Sequence, residues 1–129
     1  MKFPRILSFG RTGEELLDVF ALQPALLEGL RVLDCPGGPG SLSSARRRNG
    51  AHPTAVAPGY ALRPEAFESC TLRDIEAVAE QIAGDEIFWT DFDQRRYFVS
   101  KIEAYQQCVE DRSAHPGDYI AASAESALR

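Results

Sequence analysis

Val32-Leu33-Asp34-Cys35-Pro36-Gly37-Gly38-Pro39-Gly40-Ser41-Leu42 is the stretch on which the reading of the whole chain turns. An apolar run, Leu30 to Cys35, delivers an acidic residue to its end and stops at the breaker Pro36-Gly37-Gly38-Pro39-Gly40. The run is too short for a buried helix, so it predicts a strand. Beyond the breaker, Ser41 to Asn49 reads as a helix, with Ser41 near its cap and Gly50 just past its end. Strand, tight glycine turn and helix are thus expected in immediate succession.

Downstream, Thr54-Ala55-Val56-Ala57 predicts a second strand, closed by the Pro58-Gly59 turn. Pro64 begins a short turn. Thr71 and Asp74 then read as a cap before Leu72, Ile75, Val78, Ala79 and Ile82, with Gly84 as the stop. A longer helix is expected from about Asp93 to about Arg112, with Phe98, Ile102, Tyr105 and Val109 on one face. His115-Pro116-Gly117 ends it, and Tyr119 to Ala122 predicts a third strand. Upstream, Thr12 and Glu15 have capping-box spacing ahead of Leu16, Leu17, Val19 and Phe20. Pro24 opens a second short helix and Gly29 closes it. Residues 1–29 therefore form an N-terminal helical segment, and residues 30–129 the sheet-bearing part of a single domain. Strands alternating with helices argue for an α/β fold with a parallel sheet and right-handed crossovers. Ligands bind beyond the carboxyl ends of such strands, where the glycine loop falls.

Composition narrows the partners. A chain of 129 residues supports one core. Its net charge of -5 opposes nucleic acid and anionic membrane. No stretch approaches the roughly 18 apolar residues of a membrane span, and Met1 to Arg5 lacks the apolar core of a secretion signal. Cys35, Cys70 and Cys108 are widely and unevenly spaced, and His52 and His115 have no cysteine at ligand spacing. Neither a disulfide framework nor a metal site is expected; a reducing cytoplasm is.

The loop resembles the first motif of class I S-adenosylmethionine-dependent methyltransferases, an acidic residue followed by three glycines at alternate positions. Asp34 stands for the acid, Pro36 replaces the first glycine, and Gly38 and Gly40 keep the second and third. The match is similar to that of a bacterial group of uncharacterised methyltransferase-like proteins whose motif reads Asp-Cys-Pro-Ala/Gly-Gly-Pro. Ala55 to Tyr60, the aromatics Phe88, Trp89 and Phe92, and Tyr119 to Ser123 resemble that group too. The chemistry fits: a carboxylate near a strand end helps to hold a cationic amino-acid moiety, and glycines let the backbone approach a ligand closely. A nicotinamide site calls for a third glycine three positions after Gly40, where Ser43 stands, and has no need of Asp34. The resemblance implies a partial Rossmann-like methyltransferase fold containing strands one to three. It also implies S-adenosylmethionine as cofactor, with Asp34, Pro36, Gly37, Gly38 and Gly40 as binding residues. It names neither a catalytic residue nor a methyl acceptor.

Two departures shape the functional expectation. Ala57 stands where the family has an acid for the ribose hydroxyls. Losing a charged acceptor costs about 1.5–3 kcal/mol, or roughly tenfold to a hundredfold in affinity. The chain also ends at Arg129, before the family's fourth strand. The expectation is a truncated or degenerate methyltransferase-like protein that binds its cofactor weakly and is inactive as this chain alone. The alternative is a non-catalytic interaction module: strand one would form an exposed apolar edge, open to a second copy or a partner chain.

The remaining candidates have structural readings. Cys35 could be a nucleophile, but lacks a recognisable histidine partner and reads as a buried thiol. Arg46-Arg47-Arg48 reads as a solvated helix face. Tyr97, Phe98 and Tyr105, with Phe88, Trp89 and Phe92, read as core. Asp91 and Asp93 read as helix caps, and the two histidines as exposed loop residues.

Overall fold

The structure, a computed structural model, describes residues 10–82 and 94–122. Gly84, Phe88, Trp89, Asp91, Phe92, Asp93 and Ser123 lie outside the described residues. Helix α1 is Gly13–Val19, followed by a 3-10 turn at Pro24–Leu27 and strand β1, Arg31–Asp34. Helix α2 (Leu42–Arg48) leads to β2 (His52–Val56), a 3-10 turn at Pro58–Ala61 and α3 (Pro64–Ile82). Helix α4 (Gln94–Ala114), a 3-10 turn at Pro116–Asp118 and β3 (Tyr119–Ile120) follow. The strands form an open parallel sheet in the order β1-β2-β3, flanked by helices, so the fold is α/β.

Register assigns each residue to a face. Leu33 pairs with Thr54 and Val56 with Ile120, whereas Asp34 pairs with Ala55 and Ala55 with Tyr119. In-register neighbours share a face and alternate residues do not. Asp34, Pro53, Ala55 and Tyr119 therefore lie together, and all four are buried. Helix α2 reaches this face through Ser43, whose Oγ donates to Asp34, and α4 through Asp111, which accepts from the Tyr119 hydroxyl. Here sits the core of Ala55, Ala57, Tyr60, Phe67, Cys108 and Tyr119. The other face is more open: Arg31 and His52 are exposed, and Leu33 and Ile120 are 50% and 46% exposed. Val56, in the central strand, is buried there.

Several sequence expectations are corrected. Thr71 and Asp74 do not cap a helix; both are fully buried in the middle of the continuous helix α3. Pro64 occupies the first turn, and Phe67, Thr71, Ile75 and Val78 then run as one buried stripe, so no free amide awaits a cap at residue 71. The buried face of α4 is Lys101, Ala104, Tyr105 and Cys108, leaving Ile102 and Val109 exposed. Apolarity alone missed this rotation because the Lys101 ammonium is buried against the Glu15 carboxylate, 2.6 Å away. Ser41 does not cap its own helix; its Oγ accepts from the Gly13 amide at 3.0 Å. Thr12 does cap α1, accepting from the Glu15 amide at 3.1 Å. The arginine run is not a solvated face. Arg46 is buried, with no hydrogen-bond partner at Nε or Nη1 among the described residues. Arg47 bridges Asp111 and Asp118 at 2.9 Å each. Only Arg48 is exposed.

Candidate functional site

Strand β1 carries Asp34 to the carboxyl end of the sheet and turns it inward. Its Oδ2 accepts from Ser43 Oγ at 3.0 Å, and its carboxylate also accepts from the Ser43 amide. Burial raises the carboxyl pKa, and the Ser43 bonds oppose that rise. Asp34 thus ties the end of β1 to the first turn of α2 across the loop.

The loop between them is fixed from three sides. From below, the Gly37 amide donates to the Val56 carbonyl at 2.8 Å. From the α4 side, the Gly38 carbonyl accepts from the Tyr60 hydroxyl at 2.7 Å and from the Cys108 thiol at 3.6 Å. Gly38 itself has a φ of 52°, in the left-handed region that favours glycine, and a Cβ built there meets nothing within 4 Å. From above, residues 10–13 cross the loop: the Ser41 amide donates to the Arg11 carbonyl at 3.1 Å. The crossing is so close that a Cβ on Gly10 would lie 2.3 Å from the Gly40 nitrogen, and one on Gly40 would lie 2.8 Å from the Arg11 oxygen. Gly40 therefore serves the approach of the N-terminal segment.

Between these layers lies a cavity of about 510 Å³. Its walls are Pro36–Pro39 after β1, Ala57–Gly59 after β2, Gly10, Arg11 and Leu16 from the N-terminal segment, and Leu62, Phe67 and Cys70 around the start of α3. That volume falls within the roughly 300–1,000 Å³ of small-molecule sites, and the location is the one parallel sheets use. A second cavity, about 560 Å³, lies between the Pro24–Glu28 turn and Arg48–Gly50, ahead of β2 at the amino end of the sheet. The carboxyl-end cavity is the better candidate, because the glycine loop and both strand ends converge on it.

No protein family, curated protein or solved structure matches this chain. Of the five residues expected to bind cofactor, Pro36, Gly37 and Gly38 line the cavity, whereas Asp34 and Gly40 stand behind it as supports. Ala57 lines it just beyond the end of β2. Among the described lining residues, Arg11 carries the one charge. Cys70 is half-buried in the wall, and Arg73 Nη2 lies 3.7 Å from its sulfur.

The sequence reading gave no role to the layer that shapes the loop. Tyr60 packs edge-on against Tyr119, with ring centroids 5.3 Å apart, and lies 5.9 Å from the Phe67 ring. The Arg112 guanidinium sits 5.2 Å from the Tyr60 centroid and donates to the Tyr60 carbonyl at 2.7 Å. Burial raises the Tyr60 hydroxyl pKa and pushes the Cys108 thiol up to about 12. Both remain protonated donors to Gly38. Arg112, at the end of the periodic apolar positions of α4, is the one signal in the sequence that could have pointed to this layer; nothing in the sequence marked Arg11. Cys35 is half-buried at the head of the loop. No group of three or more potential metal ligands occurs among the described residues, and no described helix is long and apolar enough to cross a membrane.

Proposed function

We propose that this chain is a methyltransferase-like cofactor-binding unit with a partial Rossmann-like fold. It binds S-adenosylmethionine, or the demethylated product S-adenosylhomocysteine, weakly and transfers no methyl group by itself. The observation that carries the reading is that the Asp34–Gly40 loop, the feature resembling the family's first motif, opens directly onto the 510 Å³ cavity. In this reading the Gly37–Gly38 backbone lies against the ligand, and Arg11 attracts the carboxylate of its amino-acid part. Leu62 and Phe67 offer apolar surface to the adenine ring. Asp34 acts by holding the loop. Ala57 offers the ribose no acceptor, which accounts for weak affinity. No residue is assigned a catalytic role. The setting is a reducing cytoplasm, in keeping with three free thiols.

Calorimetric titration with S-adenosylhomocysteine tests this. The expected result is weak binding that Ala57→Asp tightens roughly tenfold to a hundredfold, the gain of one charged acceptor. Leu62→Trp, which fills the cavity from its rim, abolishes binding and serves where the carboxylate introduced by Ala57→Asp disturbs folding. Silence from both the wild-type and the folded Ala57→Asp protein overturns the reading. So does binding that Leu62→Trp leaves unchanged.

A further inference from the structure

Residues 19–33 expose an unusual amount of apolar surface. Phe20 and Leu26 are 66% and 65% exposed, Val19 59%, Leu30 and Leu33 51% and 50%, and Leu22 39%. These side chains follow one another from the end of α1, through the Pro24–Leu27 turn, into β1. Strand β1 is also a sheet edge: it pairs with β2 on one side and, among the described residues, with nothing on the other. Unpaired strand amides and carbonyls beside apolar side chains are a template for another strand.

From this surface we infer that the chain self-associates as a two-fold dimer through residues 19–33. In that dimer β1 of one copy lies antiparallel to β1 of the other, and the two three-stranded sheets join into one of six strands. Two quantities favour a second copy as the occupant. The first is charge. Glu28 and Arg31 are the only charged residues in the stretch and cancel, so the net -5 of the chain lies wholly outside it. Two acidic copies can meet here without like charges facing each other, and each brings one acid and one base to an isologous contact. The second is area. The six side chains alone leave on the order of 600 Å² accessible per chain, most of the roughly 800 Å² per partner in a standard interface. The backbone edge and intervening residues supply the remainder. This surface is separate from the cavity, so the inference stands or falls independently of ligand binding.

Sedimentation velocity over a dilution series, on the full chain, is the test. The expected wild-type species has twice the 14.2 kDa chain mass. Leu33→Lys and Leu26→Lys each weaken dimerisation by about tenfold or more, as loss of an interface anchor does. Val109→Lys, an exposed apolar position on α4, leaves it unchanged. Circular dichroism melts establish that each variant is folded. In hydrogen exchange, the β1 amides become more protected as concentration rises. A wild-type monomer at every concentration overturns the inference, whatever other protein it binds. A dimer that survives both lysines, or that Val109→Lys disrupts instead, also overturns it.

Discussion

Tyr60→Phe removes one oxygen and leaves the ring packing intact, so it isolates the hydrogen bond that holds the glycine loop. The hydroxyl donates to the Gly38 carbonyl at 2.7 Å; without it, that carbonyl keeps, among the described residues, only the weak thiol donor of Cys108 at 3.6 Å. Leaving a buried acceptor under-satisfied costs about 1–2 kcal/mol. In a chain of this size the melting temperature should fall by roughly 3–8 °C. Urea unfolding should show a lower midpoint with an unchanged slope. A double-mutant cycle makes the test specific. A Cβ on Gly37 would lie 2.6 Å from the Tyr60 hydroxyl, but 3.1 Å from Ala55 Cβ and 3.3 Å from the Asp34 carbonyl. Gly37 has no positive φ, so alanine is conformationally acceptable there, and the phenol oxygen is its chief obstacle. Gly37→Ala should therefore be markedly destabilising in the wild type and much less so beside Tyr60→Phe, with a coupling on the order of 1 kcal/mol. Additive costs, or a Tyr60→Phe protein within about 0.3 kcal/mol of the wild type, would refute the view that this hydroxyl sets the loop.

Two further outcomes follow from buried charges. Burial raises the Asp34 pKa above its ordinary 3.8. Its contribution to stability is therefore fully present below that value and is lost as pH rises through the raised folded pKa. Asp34→Asn keeps an oxygen for Ser43 and should be more stable than the wild type at pH 7, with the difference shrinking as acid is added; a lower melting temperature at pH 7 would contradict this. Arg46 is buried with two nitrogens lacking partners among the described residues. Arg46→Met should raise unfolding free energy by about 1–3 kcal/mol, the penalty for an unsatisfied buried polar group; clear destabilisation in chemical denaturation would show that the guanidinium is satisfied in solution.

The strands and their parallel order were legible because the decisive signals are local and strong. Leu30–Cys35 can hardly be anything but a strand before Pro36-Gly37-Gly38-Pro39-Gly40, and Pro58-Gly59 closes the next one as sharply. Helix faces were less legible because apolarity is an incomplete proxy for burial. Lys101 is buried because Glu15, far away in sequence, receives its ammonium, and Arg47 is drawn in by Asp111 and Asp118. Each pairing exists only once the chain has folded. The spacing of Thr71 and Asp74 mimics a cap in a window that omits Pro64 and Phe67, the residues that start the helix earlier.

The site shows the same division more sharply. A glycine pattern reports that a backbone must come close to something, without reporting to what. Gly38 is open to the cavity, consistent with a ligand, but Gly40 answers to the Arg11 backbone and Gly37 to the Tyr60 hydroxyl. Asp34, the most suggestive single residue in the sequence, commits its carboxylate to Ser43. A strand–glycine–helix motif is therefore as much a packing device as a ligand device. Its two close glycine contacts rest on different partners, so they can be separated experimentally: substitutions at Gly37 and Gly40 act first on stability, through Tyr60 and the N-terminal segment. Leu62, 42% exposed on the cavity rim, is where an effect on affinity can be read without an effect on the fold.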